Sequence, residues 1–145
     1  MINSSVEINR PPAEVFAYLD EVERHGEWQP DIVSTKKETE GPVGVGTRVT
    51  NTRRVPGGRR PITYEITEHD PPRRSVFRGV NGPVRPQGTV TVEPLDDGTR
   101  SRVSLQFDLV GHGLLGKLFA PMARRQASRT IPRDQQNLKQ KLESA

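Results

Sequence analysis

The hydrophobic period of the chain changes near residue 112, and this change limits the folds open to it. The stretch RSRVSLQFDLVG, residues 100–111, alternates strictly, and one of its faces consists of Val103, Leu105, Phe107 and Leu109. Such alternation is typical of a strand that buries one face and leaves the other in water. Beyond residue 112 the alternation stops, and residues 113–143 are rich in helix formers with apolar side chains at helical spacing. The sequence therefore predicts a sheet covered by one long C-terminal helix.

The spacing of apolar residues within 113–143 predicts which side of this helix faces the sheet. We expect the inward stripe to contain Leu114, Leu118, Met122, Ile131, Leu138 and Leu142. Pro121 and Pro132 lack a backbone N–H and are each expected to kink or interrupt the helix. Ala123 and Ala127 would leave space for a ligand if they face the sheet, but alanine is also the best helix former on an exposed surface. Both interpretations of the two alanines stay open.

The rest of the chain predicts an α+β domain. Residues 2–8 alternate like a half-buried strand, and Pro11 and Pro12 end that strand and begin a helix. Two short helices are expected at about 12–20 and 21–26, and turn-rich stretches then separate six strand signals. With 145 residues and no internal repeat, the expected unit is a single domain, 1–145, with about seven antiparallel strands around the long helix.

Composition narrows the function classes. There is no cysteine, and no apolar run approaches the roughly 20 residues of a membrane span, so we expect no disulfide and no integral membrane association. The net charge is +4, but the arginines are scattered pairs among acidic residues without interleaved aromatics, which argues against nucleic acid. No signal peptide is apparent, and a bacterial, cytoplasmic protein without a cofactor is expected. Both a monomer and a homodimer are compatible with the sequence.

The three histidines, His25, His69 and His112, are not spaced as metal ligands, and we predict no metal site. The sequence contains no nucleophile elbow, and its glycine-rich stretch GPVGVG precedes a strand rather than a helix. No catalytic residue can therefore be named.

Polar side chains in phase with apolar strand positions are the more informative signal. These positions are Asn51, Arg53, Tyr64 and Arg78. A ligand pocket is mostly apolar with a few placed polar groups, and these residues fit that description. A shift of one residue in register would instead turn the arginines to solvent, and Tyr64 is equally suited to a core.

The only tryptophan, Trp28, follows the short helices. It is expected either to anchor the core at that junction or to form a wall of a cavity, and both interpretations predict an acceptor for its N–H.

Several segments resemble the SRPBCC superfamily, and the polyketide cyclase/dehydrase branch in particular. They are VEINRPPAEVFAYLDEVERHGEWQP, GPVGVGTRV, YEITEHDPPRRSVFR and the terminal LKQKLE. The resemblance covers nearly the whole chain. It implies the helix-grip fold, in which a curved sheet wraps around the C-terminal helix and leaves a cavity between them.

The resemblance implies binding of a small, largely apolar organic ligand, such as a polyketide, lipid or aromatic metabolite. The alternatives are a cyclase/dehydrase-type enzyme and a non-catalytic stress-response or partner-regulating domain with a small cavity. The candidate ligand-binding residues are Trp28, Asn51, Arg53, Tyr64, Arg78, Phe107, Met122, Ala123 and Ala127.

The charge of the ligand can also be addressed. Glu65 and Asp108 fall on the opposite strand parity, so few acids share the inward face, and an inward Arg53 or Arg78 is expected to seek a ligand oxygen or ordered water. A buried arginine needs an acceptor, and the expected ligand therefore carries a carbonyl, enolate or carboxylate.

Overall fold

The computed structural model describes all residues, 1–145, and its elements follow the predicted order. The N-terminal part comprises β1 (Ile2–Ile8), α1 (Pro12–Asp20), a 3-10 helix (Val22–Glu27) and β2 (Ile32–Lys37). The central strands are β3 (Arg48–Val55), β4 (Gly58–Asp70), β5 (Arg74–Gly79) and β6 (Val84–Leu95). A short 3-10 turn (Asp96–Gly98) leads into β7 (Arg100–Gly111) and then α2 (Gly113–Glu143).

All seven strands form one antiparallel sheet with the order β1-β7-β6-β5-β4-β3-β2. The first strand therefore lies beside the last, with Val6 opposite Val103 and Ile2 opposite Phe107. This register places the apolar alternation of both strands on the same face, which we call the inner face. The helix α2 packs on the inner face of β7, β1 and β6, giving the predicted helix-grip architecture.

The main core lies where α1 and the last turns of α2 meet the inner face. It consists of Val6, Ile8, Val15, Phe16, Tyr18, Val92, Val103, Leu138 and Leu142. Proline begins α1, where no hydrogen bond is lost, and Glu14 occupies its first turn, where an anion is favoured. Leu138 and Leu142 of α2 are buried as predicted.

The N-terminal half of α2 is rotated relative to the predicted stripe. Leu118 and Met122 are 68% and 64% exposed, so the expectation that they face the sheet is wrong. Gly116 is buried instead, because the loop between β5 and β6 approaches it so closely that a Cβ would clash with the carbonyl oxygen of Pro83. At about 100° per residue, this contact turns Leu118 to the opposite side of the helix. Leu114 is likewise exposed.

Neither internal proline interrupts α2, which runs continuously over 31 residues through Pro121 and Pro132. Each proline lacks the N–H for one backbone hydrogen bond, and the helix continues across both positions. Despite its length, α2 has no stretch apolar enough to cross a bilayer, and the same holds for α1.

Candidate functional site

The inner faces of β3, β4 and β5 lie beside α2 rather than in its main packing contact, which is with β7, β1 and β6. Several inner-face side chains there are only half-buried, including Ile62, Tyr64 and Phe77. On the helix, Ala123 and Ala127 are half-buried and share the inward side of α2 with buried Ala120. We use the name inner cleft for the inner faces of β3, β4 and β5 together with these two alanines.

Three aromatic rings form a row across the inner face. The ring centroids of Tyr64 and Phe77 are 5.4 Å apart, and those of Phe77 and Phe107 are 6.2 Å apart. Gly88 lies between Phe77 and Phe107 in the register, and a Cβ there would approach Phe77 Cζ to 2.7 Å. The missing side chain at Gly88 therefore makes room for the row.

The same register corrects the prediction for Arg78. Because Phe77 is paired with Gly88 on the inner face, Arg78 is turned to the outer face, opposite Glu65 and Gln87. Arg78 is exposed, so it is not part of the inner cleft. The predicted phase of β5, which placed Arg78 inward, was therefore wrong by one residue.

Arg53 lies on the inner face, as its phase in β3 predicts, opposite Ile32 and Arg60. Its Nη2 donates a hydrogen bond to Gln29 Oε1. Burial lowers the pKa of the Arg53 guanidinium, and the nearby carboxylates of Asp134 and Asp31 oppose that shift. No carboxylate lies within 4 Å of Arg53, in keeping with the strand parity, but Asp134 of α2 and Asp31 of a loop are close enough to favour its charged form.

Asp134 is a buried carboxylate of α2, with 7% of its surface exposed. Arg133 Nη2 donates to its Oδ1 over 3.0 Å and also lies 3.1 Å from Asp31 Oδ2. Burial raises the pKa of Asp134, and the hydrogen bond from Arg133 works against that shift. With Arg53, these residues form a group of two cations and two carboxylates whose formal charges balance.

Two neutral polar groups flank Arg53. Asn51 is buried, and its Oδ1 accepts a hydrogen bond of 2.9 Å from Thr35 Oγ1. Burial raises the pKa of the Tyr64 hydroxyl, so this group stays protonated and can donate a hydrogen bond at neutral pH. Tyr64 and Arg53 thus supply hydrogen-bond donors beside the aromatic row.

Trp28 lies half-buried against the main core, and its ring meets that of His25 edge-on at 5.5 Å. Asn137 Nδ2 donates to the Trp28 carbonyl oxygen over 3.2 Å, which ties the loop to α2. The indole Nε1 is buried without a hydrogen-bond partner, so the prediction of a nearby acceptor is wrong.

His25 is tied to the end of α1. Its Nε2 lies 2.7 Å from the carbonyl oxygen of Leu19 and must carry the proton, since a carbonyl only accepts. Burial lowers the pKa of this imidazole.

A second histidine is paired outside the cleft. His69 Nε2 lies 2.9 Å from Asp20 Oδ2, and the imidazole packs against the ring of Phe16 under α1. Burial raises the pKa of Asp20, although its bond to His69 acts in the opposite direction. This pair joins α1 to β4.

The structure brings most of the predicted residues to one region. Those on the inner face or the inward side of α2 are Asn51, Arg53, Tyr64, Phe107, Ala123 and Ala127, with Trp28 half-buried in the loop before β2. Arg78 and Met122 point elsewhere. Gln29, Phe77 and Asp134 were not among the residues predicted from the sequence. Asp134 could have been found from helix phase, because it lies three residues after Ile131 and four before Leu138.

Comparison with known proteins agrees with this architecture. Residues 2–143 match the sequence model of the family described as polyketide cyclase / dehydrase and lipid transport. The uncharacterised protein Rv1546 of Mycobacterium tuberculosis is 27% identical over 124 residues, which are 85% of each chain.

Solved structures show the same fold. The Zhui aromatase/cyclase from Streptomyces sp. R1128 has a TM-score of 0.82 at 19% identity, over 98% of this chain and 92% of that one. A START superfamily protein from Mycobacterium smegmatis has a TM-score of 0.79 at 12% identity, over 99% and 97% of the two chains. Because the family match spans almost the whole sequence, the chain belongs to the polyketide cyclase/dehydrase and lipid transport family, within the SRPBCC superfamily.

Proposed function

We propose that the protein binds a small, largely apolar organic molecule with at least one hydrogen-bond-accepting oxygen in the inner cleft. The observation that carries this proposal is the aromatic row of Tyr64, Phe77 and Phe107 on the same face as Arg53. An apolar wall with a few placed donors suits such a ligand. Ala123 and Ala127 have small side chains, which leave space for a ligand on the helix side of the cleft.

The balanced charges around Arg53 bear on the class of ligand. Asp134 and Asp31 already stabilise the guanidinium, so a ligand carboxylate would meet two protein carboxylates as well as the cation. A neutral ketone, lactone or phenol accepts a hydrogen bond without that repulsion. We therefore propose a neutral oxygenated ligand, which is narrower than the set expected from the sequence.

The test is ligand binding with two matched arginine variants. Purified protein is first analysed by native mass spectrometry for co-purifying metabolites, and fused-ring aromatic ketones are then titrated by following Trp28 fluorescence. Arg53→Met should weaken ketone binding by about tenfold or more, the effect of a lost hydrogen bond to a charged donor. Arg78→Met removes the same charge from the outer face and should leave affinity unchanged. Equal effects of the two variants, or no binding of any aromatic ketone, would contradict the proposal.

A second candidate function is cyclase-type catalysis at the same site. It is favoured by the two donors, Tyr64 and Arg53, because donors aimed at a carbonyl oxygen also stabilise the enolate formed during cyclisation. A confined cleft would in addition hold a reactive chain in a folded geometry. Incubation with a poly-β-ketone thioester mimic, followed by chromatography, distinguishes the two candidates. An enzyme accelerates formation of a ring product and loses that acceleration in Tyr64→Phe, whereas a binding protein leaves the product distribution unchanged.

A further inference from the structure

The first half of α2 exposes an unusual amount of apolar surface. The exposed fractions are 87% for Leu114, 63% for Leu115, 68% for Leu118, 47% for Phe119 and 64% for Met122. These positions follow the spacing i, i+1, i+4, i+5 and i+8, so they share one side of the helix. We call these five residues the apolar stripe. No other element of the chain exposes more than one large apolar side chain.

The charge around the apolar stripe has a single sign. Residues 109–133 contain no aspartate or glutamate but five cations. Arg124 and Arg133 are paired with carboxylates. The other three, Lys117, Arg125 and Arg129, have no carboxylate within 4 Å, and Arg125 and Arg129 extend beyond the stripe along the helix.

We infer that the apolar stripe docks on an anionic lipid membrane, with α2 lying in the plane of the interface. A helix in that position inserts large apolar side chains below the headgroups and holds Lys and Arg at the level of the headgroups. Here Arg125 and Arg129 continue the side of the stripe towards the C-terminus, and Lys117 lies at its edge. The headgroups of an anionic leaflet provide the countercharge that the protein does not supply to Lys117, Arg125 and Arg129. Burial of leucine and phenylalanine side chains among the acyl chains adds the apolar contribution.

Charge complementarity favours a membrane over a second copy of the chain. A symmetric dimer through the apolar stripe would bring the same surface of both copies together, and with it two sets of the three unpaired cations. Like charges facing each other across an interface oppose association. An anionic surface removes this conflict. The inference concerns the outside of α2 and does not depend on the ligand proposed for the inner cleft.

The experiment measures sedimentation of the full chain with vesicles of pure phosphatidylcholine and of phosphatidylcholine with 30% phosphatidylglycerol. The wild-type protein should bind the anionic vesicles more tightly, and added salt should weaken that binding. Lys117→Gln/Arg125→Gln/Arg129→Gln should reduce the partition coefficient by about a hundredfold, since each cation near the surface contributes about fivefold. The matched control is Arg59→Gln/Arg78→Gln/Lys141→Gln, which removes three exposed cations elsewhere and should retain most of the binding.

The apolar contribution is tested with Leu115→Gln/Leu118→Gln/Phe119→Gln, and circular dichroism checks that each variant keeps its helix. This variant should lose anionic vesicle binding while remaining folded. The inference is overturned if the folded wild type binds no anionic vesicle. It is also overturned if the stripe variant, or the variant of Lys117, Arg125 and Arg129, binds as tightly as the wild type. It is equally overturned if light scattering shows a dimer that the stripe variant dissociates, or if an acidic protein partner binds the stripe while vesicles do not.

Discussion

The group formed by Arg53, Asp134, Arg133 and Asp31 allows the most specific prediction. Replacing Arg53 by methionine removes its charged hydrogen bond to Gln29, which contributes about 1.5–3 kcal/mol. It also removes a positive charge that stabilises the buried carboxylate of Asp134. Breaking a buried pair outright costs about 3–5 kcal/mol, but Asp134 keeps the Arg133 guanidinium at 3.0 Å, so the full penalty is not reached.

We therefore expect Arg53→Met to lower the free energy of unfolding by about 1.5–3 kcal/mol at pH 7. For a chain of this size, that corresponds to a fall in Tm of roughly 3–10 °C. The loss should be larger at pH 7 than at pH 3.5. Burial already raises the pKa of Asp134 above 3.8, so its ionisation destabilises the fold as pH rises through that value, and losing Arg53 increases this cost.

The assay is urea denaturation of the wild type, Arg53→Met, Asp134→Asn and the double variant at both pH values. If the two side chains interact, the double variant should depart from additivity by about 0.5–2 kcal/mol at pH 7, and by less at pH 3.5. Arg78→Met, on the outer face, should change stability by less than about 0.5 kcal/mol. Additive effects at pH 7, or a loss in Arg78→Met equal to that in Arg53→Met, would refute this account of the charges.

Three further predictions use the same denaturation assay. Leu138→Ala should lower the free energy of unfolding by about 2–5 kcal/mol because the Leu138 side chain is only 1% exposed. Leu118→Ala, at an exposed position, should lower it by less than about 0.5 kcal/mol. Similar losses for the two variants would instead support the helix phase predicted from the sequence. Trp28→Ala should lower the free energy of unfolding by about 3–5 kcal/mol. Trp28→Phe should recover more than half of that loss, since it keeps much of the packing and removes a buried N–H that has no partner. A Phe variant as unstable as the Ala variant would contradict this. Burial lowers the pKa of His25 below 6.5, so the wild type should lose stability as the pH falls below 6.5. His25→Gln should lose less stability between pH 6.5 and 5. Identical slopes of the unfolding free energy against pH in the two proteins would count against a buried neutral imidazole.

The order of the elements along the chain and the long helix could be predicted because their signals are local. The alternation in β7 and the change of period after it identify both elements directly, and parity alone placed Arg53 and Tyr64 on the inner face. The errors come from contacts between distant residues. The rotation of α2 depends on Gly116 meeting the loop at Pro83, and the phase of β5 depends on Gly88 making room for Phe77.

The partners of the charged side chains were harder still to predict. Arg53 lies in β3, whereas Asp134 follows it by about eighty residues and approaches from the helix side. Strand parity describes which face a side chain occupies and carries no information about what another layer brings to that face. The preference for a neutral over an acidic ligand could therefore be proposed only once the position of α2 was known.

The pairing of β1 with β7 also has a consequence for how the protein is made. The main core joins Val6 and Ile8 to Leu138 and Leu142, and the chain ends are tied by Arg10 Nη2, which donates to the Ala145 carbonyl oxygen over 3.0 Å. On a ribosome that adds about 5–20 residues per second, roughly 7–30 s separate the two halves of this core. During that interval β1 and α1 have left the ribosome before β7 and the end of α2, which pack against them. Their apolar side chains are therefore accessible to chaperones. Folding is therefore completed only after the last turns of α2 have left the ribosome.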